Sequence, residues 1–451
     1  MSKQKIQLSD HFDYSRLLRF VLPCVGTMLF TSIYGIVDGL CVSNFVGKTA
    51  FAAVNLIMPV PMLVGSVGFM LGTGGSAIVG ITLGEGDREK ADRYFSLFVW
   101  TGLVAGLLLA VVGFFAVRPA ASLLGAKGEM LDYAVRYGRL LMACLPFFIL
   151  QNMFQSFFVT AENPHLGFAF TVAAGVTNMV LDVVLVGMLH GGVEGAAIAT
   201  FISQAVGGVL PVFYFLNKRS TSSIHLGRAQ WNGGVICSAC INGSSELMTN
   251  LSMSLVNILY NYQLLRFAGE NGVAAYGVIM YAAFLFVAVF VGYAVGSAPI
   301  VSYHYGARNH AELNNLYSKS LRLIGVIAVV MTVLSMLVIP YVARIFVGYD
   351  AELLALTSHA FRVYALNFFL MGFNVYGSSF FTALGDGVTS ALISFLRTLL
   401  FQLLALIFLP MVLGIEGVWL AVTAAEAGAL CVTVLMFITK DKVFHYRKVS
   451  C

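Results

Sequence analysis

The segment NMFQSFFVTA at residues 152–161 returns 222 residues later as NVYGSSFFTA at residues 374–383. Asn, Phe, Thr and Ala keep their places in the two copies. One offset that holds over so much of the chain predicts two halves of equal length and similar fold. The same offset joins further pairs: Ala52 with Ala274, Met58 with Met280, and Glu194-Gly195 with Glu416-Gly417.

The composition is that of a membrane protein. Hydrophobic residues make up 59% of the chain and charged residues 10%, and the mean hydropathy is +0.87. A soluble domain is nearer half apolar and a quarter charged. The 45 glycines fit close helix packing in lipid. The formal net charge of +5 is modest, so the expected surroundings are a lipid bilayer, and no nucleic acid partner is expected.

Twelve apolar runs are long enough to cross a bilayer as helices. Six spans in each repeat is an even number, so both halves share one orientation and are related by a pseudo-two-fold axis along the membrane normal. The predicted fold is all-α, with an N-lobe at 1–216, a linker at 217–236 and a C-lobe with its tail at 237–451. The runs are 17–43, 51–83, 94–117, 133–160, 166–189, 194–216, 237–266, 273–304, 320–346, 357–383, 388–413 and 416–439.

Positive charge predicts the orientation of these spans. With the N-terminus inside, the cytoplasmic segments hold most of the 26 Lys and Arg residues, as the positive-inside rule requires. The polar linker, which contains Lys218, Arg219 and Arg228, lies on the same side. Both termini are therefore predicted to be cytoplasmic.

Prolines inside three spans predict kinks. Pro23 lies in the first span, Pro59 and Pro61 in the second, and Pro299 in the eighth. A proline inside a helix removes one backbone hydrogen bond and allows the helix to bend. Such a bend belongs either to a moving part or to fixed packing, and the sequence leaves both readings open.

A few ionisable residues lie well inside the spans, where each one is a functional candidate because burying charge in a membrane is costly. Tyr34 and Asp38 are one helical turn apart in the first span, and Asn178 and Asp182 are one turn apart in the fifth. With Thr200 in the sixth span they form a set of oxygen ligands that suits Na⁺, or two acids that share protons. A helix-packing hydrogen bond of Asp182 remains the structural alternative. The remaining candidates are Glu246, Arg397 and Glu426.

In this pattern the chain resembles the multidrug and toxic compound extrusion (MATE) family, and its MepA-like branch most closely. The resemblance covers essentially the whole chain. It implies two six-helix bundles arranged in a V, which export organic cations in exchange for H⁺ or Na⁺. Besides the repeat, it depends on residues 34–38, 178–182, 84–87, 125–129 and 243–246.

The resemblance assigns roles to particular residues. Asp38, Asn178, Asp182 and Thr200 match the N-lobe cation-site positions of the family, with Tyr34 beside them. They are the predicted cation-coupling residues and the place where Na⁺ would bind. No other metal, no cofactor and no catalytic residue is expected.

The C-lobe departs from the family pattern. Glu246 matches the acidic position of the seventh span, but the tenth span offers Asn374, Tyr376 and His359 where members with a full C-lobe cation site add an Asp. Glu246 is therefore expected to meet a cationic substrate or to pair with Arg397. Coupling through the C-lobe is doubtful.

Aromatic rings are abundant, with 36 Phe and 19 Tyr. Phe154 and Phe158 in the fourth span are predicted to line an apolar cavity and to offer ring faces to organic cations. With Glu246, Asn374 and Arg397 they complete the predicted substrate-binding set.

Two other functions compete with an antiporter. A flippase for lipid-linked oligosaccharides, from the same superfamily, needs cationic residues in its cavity, and this chain offers only Arg397 and Arg362. An intramembrane enzyme lacks any His-Glu metal motif, Ser-His pair or phosphate loop within a span. The prediction is a multi-pass multidrug efflux antiporter of the bacterial inner membrane, monomeric, with small organic cations and drugs as partners. Its natural substrate, the choice of H⁺ or Na⁺ and the stoichiometry stay open.

Overall fold

The computed structural model describes residues 5–447, apart from the side chains of residues 40, 42–44 and 48. The first four residues of the predicted N-lobe and the last four of the predicted tail lie outside this description. Within the described residues, nine helices are long and apolar enough to cross a membrane, and two bent pairs form further spans. One of the nine, Ser244–Gly306, has 63 residues, or roughly 95 Å of helix.

This long helix is two spans. Its backbone leaves the helical region at Gly269, where φ is 60° and ψ is −149°, a conformation that favours glycine. A single membrane needs only about 20 helical residues. Counting the helix as two gives twelve spans in the described chain, which confirms the all-α architecture predicted from the sequence.

The N-lobe helices are Tyr14–Phe45 (span 1), Lys48–Ile57 with Pro59–Gly84 (span 2), Arg88–Leu123 (span 3), Gly128–Ala143 with Leu145–Thr160 (span 4), Pro164–Leu181 with Asp182–Met188 (span 5) and Gly192–Leu216 (span 6). The C-lobe helices are Gly233–Asn242 with 244–268 (span 7), 270–306 (span 8), His310–Val347 (span 9), Ala351–Ala365 with Phe368–Ala383 (span 10), Gly387–Phe395 with Leu396–Leu400 and Phe401–Leu413 (span 11), and Ile415–Thr439 (span 12). A short helix, Asp441–Phe444, follows.

The sharpest bends are not at the prolines predicted to kink. Span 4 bends by 55° around Cys144, and span 10 bends by 46° at the corresponding place in the second repeat. The helices containing Pro23 and Pro299 continue through these residues. At Pro59 the second span does break, because Pro59 begins a new helix after Met58.

Spans 5 and 11, which are also related by the repeat, each contain a π-helical segment. The first begins at Asp182 and the second contains Arg397. π-Helical turns are rare and occur often at functional sites. Both segments therefore place an ionisable side chain at an irregular point of a membrane span.

The two lobes touch closely at the end where residues 5–13 and the linker lie. A Cβ at Gly84 of span 2 would collide with the carbonyl oxygen of Tyr303, and one at Gly306 would collide with that of Ile81. Glycine is required because these backbones approach so closely. The linker itself packs on the N-lobe, where the His225 amide donates to Asp92 Oδ1 at 2.8 Å.

Candidate transport site

Two carboxyl groups meet inside the N-lobe. Asp182 is 0% exposed, and neither of its carboxyl oxygens has a hydrogen-bond partner among the described residues. Asp38 of span 1 is a neighbour of Asp182, and its Oδ1 is likewise buried without a partner in the described chain. A buried charge without a partner is costly, so this pair is a binding position for a proton or a cation.

The predicted companions lie around the pair. Asn178 is one turn before Asp182 on span 5 and is 2% exposed. Tyr34 is one turn before Asp38 and packs against Gly175 of span 5. Thr200 donates to the Ala196 carbonyl of its own helix at 3.1 Å, which leaves its oxygen lone pairs available to accept.

Tyr137 of span 4 faces the same cluster and was not predicted from the sequence. Its side chain is 0% exposed, and it lies near Asp38 and Asp182 with its hydroxyl beside Thr200. Nothing in the local sequence distinguishes it from the other tyrosines of the chain. Only the fold, which brings span 4 against spans 5 and 6, identifies it.

A separate cavity of about 350 Å³ lies between the lobes and is lined mainly by the C-lobe. The N-lobe contributes the hydroxyls of Thr73, Ser76 and Ser156 from spans 2 and 4. The cavity is mixed in character, with apolar walls and a few polar groups that converge on it, as in small-molecule sites. Its charged and amide-bearing C-lobe residues are Glu246, Asn257, Arg397, Gln402 and Glu426.

Arg397 pairs with Glu426, an acid that was not in the predicted substrate-binding set. The Nε atom of Arg397 is 3.9 Å from Oε1 of Glu426. Asn374 Nδ2 donates to Oε2 of Glu426 at 2.7 Å, and Thr433 Oγ1 donates to Oδ1 of Asn374 at 2.9 Å. Asn374 is therefore a buried support for Glu426 and does not line the cavity.

The two predicted aromatic substrate contacts lie elsewhere. Phe154 is 1% exposed and stacks on Phe215 with ring centroids 5.6 Å apart. Phe158 is 2% exposed and packs on Phe170 and Phe215 at 5.3 and 5.0 Å. Neither ring is among the cavity-lining residues. Both belong to the aromatic core of the N-lobe in this conformation.

The other candidates of the tenth span and its neighbours also do not line the cavity. His359 Nε2 lies 2.8 Å from Oε1 of Glu416, in a largely exposed pair. Tyr376 is buried beside Tyr293, with ring centroids 6.2 Å apart. Arg362 is exposed and does not line the cavity. Arg397 is thus the one arginine at the cavity among the residues described.

Comparison with known proteins agrees with this arrangement. The family model MatE matches residues 23–184 and 247–407, one stretch in each repeat. The chain belongs to the MATE family. Members of this family are membrane transporters and not enzymes, so this chain is a multi-pass membrane transport protein.

The similarity to individual relatives covers nearly the whole chain. A multidrug export protein MepA from Staphylococcus haemolyticus is 24% identical over 97% of this chain and 95% of its own length. The MepA protein of Staphylococcus saprophyticus is 22% identical over 95% of both chains. A crystal structure of a MATE protein in complex with MaL6 superposes with a TM-score of 0.92 at 25% identity, over 98% of this chain and 100% of that chain.

Proposed function

We propose that this MATE transporter is a multidrug efflux antiporter that exports monovalent organic cations in exchange for H⁺ or Na⁺. The observation that carries the proposal is the pair Asp38 and Asp182: Oδ1 of Asp38 and both carboxyl oxygens of Asp182 are buried without a hydrogen-bond partner in the described chain. The MepA relatives are multidrug export proteins, which supports drugs as the class of substrate.

The coupling step follows from the environment of the acid pair. A carboxylate in a dry interior is costly unless a proton, a cation or a donor satisfies it. A proton shared by the two acids removes one charge. A Na⁺ ion would instead take oxygen ligands from both acids, Asn178 and Thr200. In either case the bound cation stabilises the arrangement of spans 1 and 5 that holds the two acids together.

Drug binding is assigned to the cavity between the lobes. Glu246 reaches this cavity and has no side-chain hydrogen bond or ion pair with another described residue. A free carboxylate in an apolar cavity attracts a cationic group, and apolar walls favour an organic one. The site for the drug and the site for the coupling cation are therefore in different lobes, so their competition must act through conformation.

Alternating access is the mechanism that fits this separation. The lobes are in close contact at the end with the linker, and the cavity lies beyond that contact. With both termini in the cytoplasm, this is a state open to the outside. Cation binding in the N-lobe drives the transition only if it favours one of the two states. We expect the chain to act as a monomer in the bacterial inner membrane.

The test is transport by the purified protein in liposomes. Ethidium movement is followed by fluorescence under an imposed pH gradient, an imposed Na⁺ gradient, or neither. We expect one gradient to drive ethidium against its concentration and the absence of both to give only equilibration. Movement that is equally fast under all three conditions contradicts antiport. No observation on the cavity favours the flippase alternative, because the one arginine that lines it among the described residues is already paired with an acid.

A further inference from the structure

Arg397 shares the wall of the cavity with two possible counter-ions. Glu246 and Glu426 both line the cavity that Arg397 lines. The arginine pairs with Glu426, and one of its terminal nitrogens, Nη1, is buried without a hydrogen-bond partner among the described residues. The guanidinium therefore has hydrogen-bonding capacity to spare, and the identity of its partner decides which of the two carboxylates stays unpaired in the cavity.

Glu426 is held in place by hydrogen bonds from Asn374. Asn374 donates from Nδ2 to the side chain of Glu426 at 2.7 Å and to its backbone carbonyl at 2.9 Å. Thr433 Oγ1 donates to Oδ1 of Asn374 at 2.9 Å and so orients the amide. Glu426 and Asn374 are 1% and 0% exposed. Such hydrogen bonds between buried groups favour one arrangement of the side chains.

The pairing of Arg397 with Glu426 determines where negative charge lies in the cavity. With both acids ionised, Glu246 and Glu426 contribute two negative charges and Arg397 one positive charge, which gives the wall one net negative charge. With Arg397 held by Glu426, that charge resides on Glu246. If Arg397 paired with Glu246 instead, the carboxylate that meets a cationic drug would already be neutralised.

We propose that Glu426 is a positioning residue that determines specificity: it holds Arg397 away from Glu246 and so keeps the cavity selective for substrates with one positive charge. The proposal rests on the proposed export of organic cations. It goes further because it assigns the selectivity to a residue of span 12 and its buried supports, Asn374 and Thr433.

The test uses charge neutralisation and rescue in the full-length protein. Glu426→Gln should raise the Kd for ethidium at least tenfold, because Arg397 then neutralises Glu246. The double variant with Arg397→Gln as well restores one net negative charge, and its Kd should return to within threefold of wild type. The single Arg397→Gln variant should bind ethidium more tightly than wild type. Glu416→Gln, on the same span but paired with exposed His359, is the matched control and should not change the Kd.

A structural role for Glu426 predicts a different outcome. Binding of a neutral drug and the melting temperature are measured for every variant. Loss of neutral and cationic binding together in Glu426→Gln, or a double variant that folds but still binds ethidium weakly, contradicts the proposal. If Glu426→Gln does not fold, weaker ethidium binding by Arg397→Gln alone contradicts it. Failure of the wild-type protein to export any cation would instead contradict the proposed function.

A second inference concerns residues 5–13, which run from one lobe to the other ahead of span 1. At the N-lobe end, the Leu8 amide donates to Oε1 of Glu162 at 2.8 Å, and Lys5 lies 3.7 Å from the other carboxyl oxygen. Glu162 belongs to the turn between spans 4 and 5. Leu8 is 1% exposed, so this end is both hydrogen-bonded and packed.

The other end of the segment is bound to the C-lobe. The Phe12 amide donates to Oε1 of Glu312 at 2.9 Å, and His11 Nδ1 is 2.6 Å from Oε2 of the same residue. Lys319 Nζ donates to the Phe12 carbonyl at 2.7 Å. Phe12 is 0% exposed. The segment is a strap across the closed end of the two lobes, and its ends bind opposite lobes.

We infer that this strap stabilises the state in which the lobes touch at this end, and that it must release Glu312 when the lobes separate there. The inference rests on alternating access. It predicts that loss of the Glu312 side chain shifts the protein towards the state open at the linker end, because the strap then loses its hydrogen bonds to that residue of the C-lobe.

The measurement is the distance between spin labels on Arg88→Cys and His310→Cys, which begin spans 3 and 9 at this end, after replacement of the seven native cysteines. Glu312→Ala should increase the population with the longer distance at least threefold. Glu89→Ala is the matched control, because Glu89 occupies the first turn of the repeat-related helix and pairs only locally with Arg93. A Glu312→Ala distribution equal to wild type contradicts the strap. A single distance in wild type under all gradients and drugs contradicts alternating access itself.

Discussion

Replacing Glu246 with Gln removes the free carboxylate of the cavity and nearly preserves the shape of the side chain. A sphere of 350 Å³ has a radius of roughly 4 Å. A bound cation would therefore lie about 5 Å from the carboxylate, where an effective dielectric constant of about 20 gives an attraction of roughly 3 kcal/mol. Part of this is offset by desolvation of the two ions. We expect a net loss of about 1.4–2.8 kcal/mol, or a ten- to hundredfold weaker Kd.

The assay compares two ligands of similar size, one cationic and one neutral, by fluorescence titration of the purified protein. We expect the Kd to rise ten- to hundredfold for the cation and to change less than threefold for the neutral ligand, because the carboxylate is not needed for apolar contacts. Glu416→Gln serves as the control, since its pair with His359 is largely exposed. Equal losses for both ligands would refute the reasoning and make Glu246 a structural residue.

Three further predictions concern other parts of the chain. Phe154→Ala should destabilise the N-lobe by about 3–5 kcal/mol and lower the melting temperature without changing the KM for ethidium. A tenfold higher KM at an unchanged melting temperature would instead show that Phe154 contacts the substrate. Gly84→Val should favour separation of the lobes at the linker end, because a side chain there meets the Tyr303 carbonyl, and proteolysis or label accessibility at that end should rise. Burial raises the pKa of Asp386, but hydrogen bonds from Lys440 and Thr389 outweigh this effect, so the pKa is lowered overall. Asp386→Asn should therefore lower the free energy of unfolding above a pH of about 4, and this loss should shrink as the pH falls through the lowered pKa. A loss of stability that is independent of pH would contradict this pairing.

The sequence was sufficient for the architecture because the signals are long and repeated. Twelve apolar runs and one constant offset predict two bundles, and the structure agrees. The helices extend beyond the apolar runs where polar residues can reach water: span 9 begins at His310, ten residues before its apolar run at 320. Local pattern also indicated which faces of spans 1 and 5 carry the acids, since one-turn spacing places Asp38 beside Tyr34 and Asp182 beside Asn178.

Features set by tertiary packing could not be predicted in this way. The bend in span 10 has no proline, so only comparison with the bend at Cys144 of span 4 would have indicated it. Glu426 was visible as a buried acid, but its partners come from spans 10 and 11, and sequence spacing does not relate different helices. Phe154 was assigned to the cavity from its ring alone. The spacing of aromatic residues does not distinguish a cavity wall from a packed core.

The central claim is that Asp38 and Asp182 couple cation movement to drug export, and one transport measurement tests it most directly. Asp182→Asn, Asp38→Asn and the exposed control Asp132→Asn are compared in liposomes under the gradient that drives the wild-type protein. Ethidium binding is measured in parallel, because its proposed site at Glu246 is in the other lobe. We predict that both acid variants bind ethidium within threefold of the wild-type Kd but accumulate none against its gradient, whereas Asp132→Asn accumulates it normally. Wild-type accumulation by both acid variants would contradict the claim.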